Sequence, residues 1–393
     1  MDDLRILGVF PVSDVRTGGQ KRYVELTRQL AERGHAVYHI CRPGLGASLP
    51  GKGVGIIPDD LSGYLIPRWW RYRRWVRRGL PGVREALGEA PDLVLAFGEN
   101  NFFAARAAAD HFGVPLVMAL RNNFLDELRT VGPVRRRLPF ARGLEKWLAK
   151  CWYRRLEAAI CSGSDSIVFQ SEADRDAILG RHPAEGHRGR VIPNSFRVSW
   201  LPTRLAHANR SDSLCRGIFI GHLNDRKGVR FLLWALAELA TGAAAPVDVG
   251  LTFDVVGFGT LEPWCRRFVE ERGLSERVTF HGRVEEPLEL LAQADLLIVP
   301  SLFDSFPNTV QEALYVGTPV IGSDTPGIVT MLEYEALIFP RRDARALAER
   351  LDTLLRDPGA YQEVRRLCGI RREVFDFDWA EPWVELFREV RTS

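Results

Sequence analysis

The sequence predicts an α/β chain made of two doubly wound parallel sheets, each in its own domain, and three observations predict it. Short apolar runs alternate with stretches of helical period along nearly all 393 residues. Strands of this length separated by helices read as parallel sheets covered on both faces. The chain is also long enough to bury two cores, and residues 196–214, "FRVSWLPTRLAHANRSDSL", are polar, proline-containing and without period. The predicted boundaries are therefore a first domain over 1–195, a hinge over 196–214 and a second domain over 215–375.

In the first half the strand runs are "LRILGVFPV", "HAVYHI", "DLVLAFG", "PLVMAL", "SDSIVFQS" and "GRVIPN". After the first of them comes "TGGQKRYVELTRQLAERGHAV", in which Tyr23, Leu26, Leu30 and Ala31 recur at helical spacing and Gly34 ends the helix. Gly18 and Gly19 precede that periodicity and let the backbone approach a ligand at the sheet edge, although a glycine pair also serves an ordinary tight turn. In the second half the runs are "RGIFIGHL", "LTFDVVGFG", "RVTFHGRV", "DLLIVPS" and "TPVIGS". "GHLNDRKG" carries Lys227 beside Gly228, "VGFG" lacks the third glycine of a dinucleotide fingerprint, and "FHGRV" ends its strand at Gly282. Three sheet-edge loops of one domain thus point to one crevice.

The stretch "PSLFDSFPNTVQEALYVGTPV", residues 300–320, places Asp304 and Glu312 on either side of a helix start. With Pro307 at the first helical position, Phe306 precedes it and has no oxygen with which to cap. The amides of Asn308 and Thr309 then stand open to an anion at the positive end of the helix. Glu312 lies about 7 Å further along the axis, a spacing that suits a diphosphate and a neighbouring sugar hydroxyl. The alternative is a helix capped by Asp304 or Ser305, with Glu312 facing solvent.

Bulk properties exclude several classes. Hydrophobic residues make up 46%, no apolar stretch reaches membrane-spanning length, and the acidic start "MDDLRILGVFPV" does not resemble a secretory signal, so a cytosolic location is expected. The six cysteines form no C-x-x-C pair and read as scattered reduced thiols. A net charge of +3 gives no global nucleic-acid footprint. "FDFDW" at 375–379 offers an Asp-x-Asp, but Asp378 reads as a cap for the helix that follows, and His35 and His39 fall in a strand-like run unsuited to a metal.

Two basic stretches stand out. Residues 67–80, "PRWWRYRRWVRRGL", interleave Trp69, Trp70, Tyr72 and Trp75 with arginines, and 134–155, "VRRRLPFARGLEKWLAKCWYRR", repeat the theme. Such segments suit an anionic membrane surface and a lipid-linked acceptor. They equally suit a solvated helix face with tryptophans turned inward, or, as a third reading, single-stranded nucleic acid.

The order glycine-rich first loop, "GHLNDRKG", "VGFG", "FHGRV", then acid-x7-Glu followed by "ALYVGTPVIGS", resembles the retaining GT-B glycosyltransferases of family GT4, most strongly over 216–340. The resemblance implies two facing Rossmann-like domains with an interdomain cleft, and a last helix, 376–393, that crosses back to the first domain. It implies a metal-independent transferase without a cofactor, moving a hexose-type sugar from a UDP- or GDP-linked donor to a small-molecule, glycan or lipid-linked acceptor. Lys227 would neutralise the diphosphate, Glu312 would bind the ribose hydroxyls, and Phe306, Pro307, Asn308 and Thr309 would present backbone amides. Asp304 stands where relatives usually carry a glutamate that contacts the donor sugar, and is one methylene shorter. Gly257 belongs to the second donor loop, and Gly282, Arg283 and Val284 match the stretch whose backbone holds the base. Gly18 and Gly19 match the loop that closes on the leaving phosphate. His222 replaces a common arginine, and Arg121 with Asn122 replaces a sugar-aligning histidine. Glu99, Asn100 and Asn101 end the preceding strand on the acceptor side. Two rivals stay open: a nucleotide-sugar epimerase of the same fold, and a catalytically degenerate nucleotide-sugar binder.

Overall fold

The apolar runs form two separate parallel sheets in the computed structural model, which describes residues 3–10, 15, 18–42, 45, 49–55, 66–130, 142–201, 213–241 and 250–392. Among the described residues the first sheet contains β1 (Arg5–Val9), β2 (Ala36–Cys41), β3 (Lys52–Gly55), β4 (Leu93–Phe97), β5 (Leu116–Ala119), β6 (Ser166–Phe169) and β7 (Gly189–Val191), in spatial order β3-β2-β1-β4-β5-β6-β7. The second contains β8 (Arg216–Ile220), β9 (Thr252–Val256), β10 (Val278–Gly282), β11 (Leu296–Val299), β12 (Val320–Ser323) and β13 (Ile338–Phe339), in order β10-β9-β8-β11-β12-β13. Every pairing is parallel. In both, the order reverses beside the first strand of the half, β1 or β8, the point at which α/β sheets open a ligand crevice. The chain divides into one unit of Met1–Leu125, Arg137–Ser199 and Asp378–Ser393, and a second of Asp126–Arg136 and Trp200–Phe377.

The strand runs read from sequence account for eleven of these elements; β3 and β13 were not among them. β3 reads Lys-Gly-Val-Gly, and β13 is only two residues, so neither has enough apolar pattern to announce itself.

Burial explains the first sheet. All five residues of β4 and all four of β5 are buried, as two-sided cover requires. The helix Phe102–Phe112 lays Ala104, Ala105, Ala108 and Ala109 on the sheet, and their small side chains let its backbone come close. Helix Gly18–Glu32 buries Tyr23, Leu26 and Leu30 and ends as expected at Gly34, whose φ is 90°. Tyr23 donates to Nδ1 of His39 at 2.7 Å, and Nε2 of His39 lies 2.5 Å from the carbonyl of Pro50. A carbonyl only accepts, so Nε2 carries the proton. Burial pushes His39 down to about 4, so it is a neutral core histidine. His35 accepts from the amide of Leu4 at 3.2 Å, which gives it a structural task as well.

The C-terminal segment belongs to the first unit. Trp379 donates to the Pro193 carbonyl at 3.0 Å, and Trp383 stacks on Phe97 with centroids 5.5 Å apart. Asp378 accepts from the amide of Ala380 at 3.2 Å and pairs with Arg33, so its carboxylate serves the entry to helix Glu381–Thr392. In the basic stretch 67–80, helix Ile66–Leu87 buries Val76, Leu80 and Val83 and exposes Arg74, Arg77 and Arg78. The side chains of Trp69, Trp70, Tyr72 and Trp75, and all of 134–141, lie outside the described residues.

Candidate active site

In the second unit, the predicted donor residues come from four loops at the C-terminal ends of β8, β9, β10 and β11. The loop after β8 makes a 3-10 turn, Asp225–Lys227, capped by Asn224, whose Oδ1 accepts from the Lys227 amide at 3.0 Å. Gly228 follows at φ 68°, and a β-carbon there would sit 1.8 Å from the Pro300 carbonyl oxygen. Only glycine lets this turn lie against the loop after β11. Leu302 donates to the Arg226 carbonyl at 2.8 Å and fastens the same two loops.

That fastening sets the central contact. Lys227 Nζ donates to the carboxylate of Asp304, with side chains 14% and 10% exposed. Ser301 Oγ approaches the same carboxylate oxygen at 3.4 Å. Helix Asn308–Val316 begins four residues on, with Pro307 as its N-cap rather than its first helical residue, so the helix starts one residue later than expected from the sequence. No side chain caps this end, and among the described residues no partner is recorded for the amides of Asn308 and Thr309. The buried Ser305 Oγ, Asn308 Oδ1 and Thr325 Oγ1 likewise lack a hydrogen-bond partner. Unsatisfied polar atoms at an uncapped helix start suit an anionic, hydroxyl-rich ligand. Glu312 stands half-buried one turn on from Asn308 and shares its helix face. Phe306 is 6% exposed and meets Phe375 edge-on at 5.8 Å, so its side chain anchors the loop.

Gly257, at φ 133°, donates to the Gly282 carbonyl at 2.7 Å and ties the loop after β9 to the end of β10. Beside it Phe258, which the sequence reading did not single out, is 44% exposed. His222 meets its ring edge-on at 5.2 Å, and the Arg283 guanidinium lies 5.9 Å from its centroid. Three predicted loops therefore converge on one exposed aromatic, and the signal for it was a phenylalanine between two loop glycines. Val284 is half-buried beside Arg283.

The first unit gathers the residues assigned to the acceptor. Glu99 opens a 3-10 turn after β4, and its Oε1 accepts from the amides of Arg121 and Asn122 at 3.1 and 2.9 Å. Burial pushes Glu99 up to about 7 despite those bonds. A β-carbon on Gly19 would lie 3.8 Å from Arg121 Nε, so the first glycine loop comes to the same spot. Gly18 starts the adjoining helix, Asn100 is exposed, and Asn101 donates to the Phe97 carbonyl at 2.6 Å. A cavity of about 20 Å³, room for about one water, adjoins Glu99, Asn122, Tyr153 and Glu157.

Comparison with known proteins agrees with this frame. Residues 17–199 match the model of Glycosyltransferase Family 4, and residues 215–357 match that of Glycosyl transferases group 1. The glycogen synthase of Mycobacterium tuberculosis is 28% identical over 57% of this chain and 53% of its own, so the match spans about half the length of that relative. The D-inositol 3-phosphate glycosyltransferase of Nocardia farcinica is 28% identical over 92% of this chain and 82% of its own. Among solved structures, sucrose-phosphate synthase from Thermosynechococcus elongatus superposes with a TM-score of 0.75 at 20% identity, covering 98% of both chains. Anabaena Alr3699/HepE, solved in complex with UDP, gives 0.69 at 16% identity, covering 98% of this chain and 100% of its own. These two likenesses show the fold, two parallel α/β sheets of the GT-B type. No described helix is long and apolar enough to cross a membrane. With both halves of the sequence matched by models of one group, the chain is a glycosyltransferase of family 4.

Proposed function

We propose that this glycosyltransferase moves a hexose-type sugar, with retention of anomeric configuration, from a UDP- or GDP-linked donor to an acceptor hydroxyl. The observation that carries the reading is the Lys227–Asp304 pair beside the uncapped start of helix Asn308–Val316. The UDP in the Anabaena structure supports a nucleoside diphosphate as the common part of the donor.

Breaking the bond between anomeric carbon and phosphate leaves an oxocarbenium-like sugar and gathers negative charge on the diphosphate. Lys227 and the amides of Asn308 and Thr309 are a fixed cation and fixed dipoles for that charge, and they need little reorganisation as it forms. Asp304, held less tightly by Lys227 once the diphosphate shares the ammonium, accepts from a sugar hydroxyl. Glu312 accepts from the ribose hydroxyls, and the leaving phosphate oxygen takes the acceptor proton. Phe258, Arg283 and Val284 line the base side. Glu99, Arg121 and Asn122 hold the acceptor.

Glu312→Ala tests this directly. Two hydrogen bonds to a charged acceptor disappear, so the Michaelis constant for the donor rises about 10- to 100-fold. Steady-state kinetics with UDP- and GDP-sugars measure it, and an unchanged donor constant contradicts the assignment.

The cytoplasm, at the membrane face, is the proposed location. On helix Arg142–Gly163, Trp147 and Leu148 are 60% and 52% exposed, next to exposed Lys146 and half-buried Lys150. Exposed aromatic and aliphatic groups among cations favour an anionic bilayer surface over an inward-packed face for the second basic stretch. Co-sedimentation with phosphatidylglycerol vesicles, but not phosphatidylcholine vesicles, is expected, and Trp147→Ser weakens it severalfold. Equal recovery with both lipids removes the membrane reading.

A further inference from the structure

The second unit holds an ion pair next to the donor residues that neither motif nor spacing suggested. Described residues Asp126–Thr130 group with this unit, and the Arg342 guanidinium donates to the Thr130 carbonyl. On this short segment Glu127 is buried, its Oε1 3.8 Å from Nε of Arg226. Arg226 is the middle residue of the turn that ends in Lys227, and Leu302 holds its carbonyl.

Two features set this pair apart from an ordinary docking contact. At 3.8 Å it lies beyond hydrogen-bonding reach, and no hydrogen bond from the Arg226 guanidinium is recorded among the described residues, although that side chain is only 26% exposed. The Glu127 carboxylate is 10% exposed and also accepts no recorded hydrogen bond. Neither group has a polar atom sealed from solvent without a partner, so the Arg226 donors stay open to a ligand phosphate while Glu127 holds them only through charge. The pair also sits in the field of the central contact. Burial raises the Glu127 carboxyl, Arg226 lowers it, and the charges of Asp304 and Lys227 act on it as well. Arg226, Lys227, Glu127 and Asp304 form one cluster of two cations and two acids, neutral when all four are charged. A diphosphate brings two or more negative charges into it, and a planar guanidinium with free donors is suited to phosphate oxygens.

We infer that Arg226 is a second diphosphate-binding cation of the donor site, and that Glu127 is a positioning residue that holds Arg226 in place and yields it when the diphosphate arrives. This rests on the donor-site reading above. His222, turned to the ring of Phe258, is then not required to supply a permanent charge, because Arg226 does so from the same loop. Glu127 competes with the ligand for Arg226, so the two side chains act on diphosphate binding with opposite sign.

Calorimetric titration of the full chain with UDP and GDP, each against its nucleoside, tests this. Arg226→Gln is expected to weaken the bound diphosphate about 10- to 100-fold, with nucleoside binding unchanged as proof of an intact site. Glu127→Gln, which frees Arg226 and removes a repelling charge, is expected to tighten the same nucleotide about threefold to tenfold. Arg226→Lys keeps the charge but loses the fork, and falls between Arg226→Gln and the wild type. Wild-type binding of UDP or GDP with equal affinity in Arg226→Gln overturns the inference and leaves the donor site standing. Weakening in both Arg226→Gln and Glu127→Gln makes the pair a structural contact and overturns it too. A wild type that binds neither nucleotide, and no UDP- or GDP-sugar, removes the donor-site reading along with it.

Discussion

Lys227→Ala is expected to lower the catalytic efficiency of sugar transfer by about 100- to 1,000-fold, the range found when one preorganised stabiliser of developing negative charge is removed. Its ammonium is the closest recorded partner of Asp304, in a loop held by the Gly228–Pro300 approach and the Leu302–Arg226 bond. The variant also leaves a buried carboxylate without its cation, which costs about 3 kcal/mol of folding stability. The two losses can be separated. Lys227→Ala combined with Asp304→Asn removes the orphaned charge, so stability returns while activity stays low. Chemical denaturation and donor turnover on the single and double variants measure both. Recovery of activity together with stability shows that Lys227 serves the fold alone.

Glu99→Gln is the second large effect, and it appears as a change in pH dependence. In the folded protein burial holds the Glu99 carboxyl at about 7, against an ordinary 4.5, so between those values the native state binds a proton that the unfolded chain has lost. The stability this gives is fully present below the unfolded value and is lost as pH rises through the folded one. The loss amounts to about 3 kcal/mol at about 1.4 kcal/mol per pH unit. Glutamine keeps the carbonyl oxygen that accepts from the Arg121 and Asn122 amides but has no proton to lose. The variant therefore matches the wild type near pH 4 and exceeds it by about 3 kcal/mol at pH 8. Denaturant midpoints across that range check it, and parallel curves contradict it. The protonated carboxyl is also a hydrogen-bond donor, so the polarity that Glu99 offers an acceptor hydroxyl changes near neutrality.

The strand order of both sheets rests on runs that the sequence declares plainly, such as "DLVLAFG" and "DLLIVPS", because strands buried on both faces are apolar at every position. β3 and β13 escaped for the opposite reason. Their short segments owe their strand character to neighbours β2 and β12, which no local pattern encodes. The donor loops were legible one by one, since glycines and a proline before a helix mark where backbone must bend or stand open. Their meeting was not. Lys227 and Asp304 lie 77 positions apart, and their pairing depends on how the loops after β8 and β11 pack. Glu127 and Phe258 went unnoticed because each matters through what surrounds it. One is an unremarkable acid in a short helix, the other an aromatic that becomes informative only when His222 and Arg283 turn out to flank it. Pro307 shows the limit for boundaries, since its ring fits the cap as readily as the first helical position.

The measurement that tests the central claim most directly is calorimetric titration of UDP and GDP into the wild type and Lys227→Ala. The predicted result is saturable binding of one nucleotide to the wild type, weakened at least tenfold in the variant, in line with the loss of a charge-assisted contact. Binding that is identical in the two proteins, or absent from the wild type even with intact UDP- and GDP-sugars, contradicts a donor site built on Lys227, Asp304 and the start of helix Asn308–Val316.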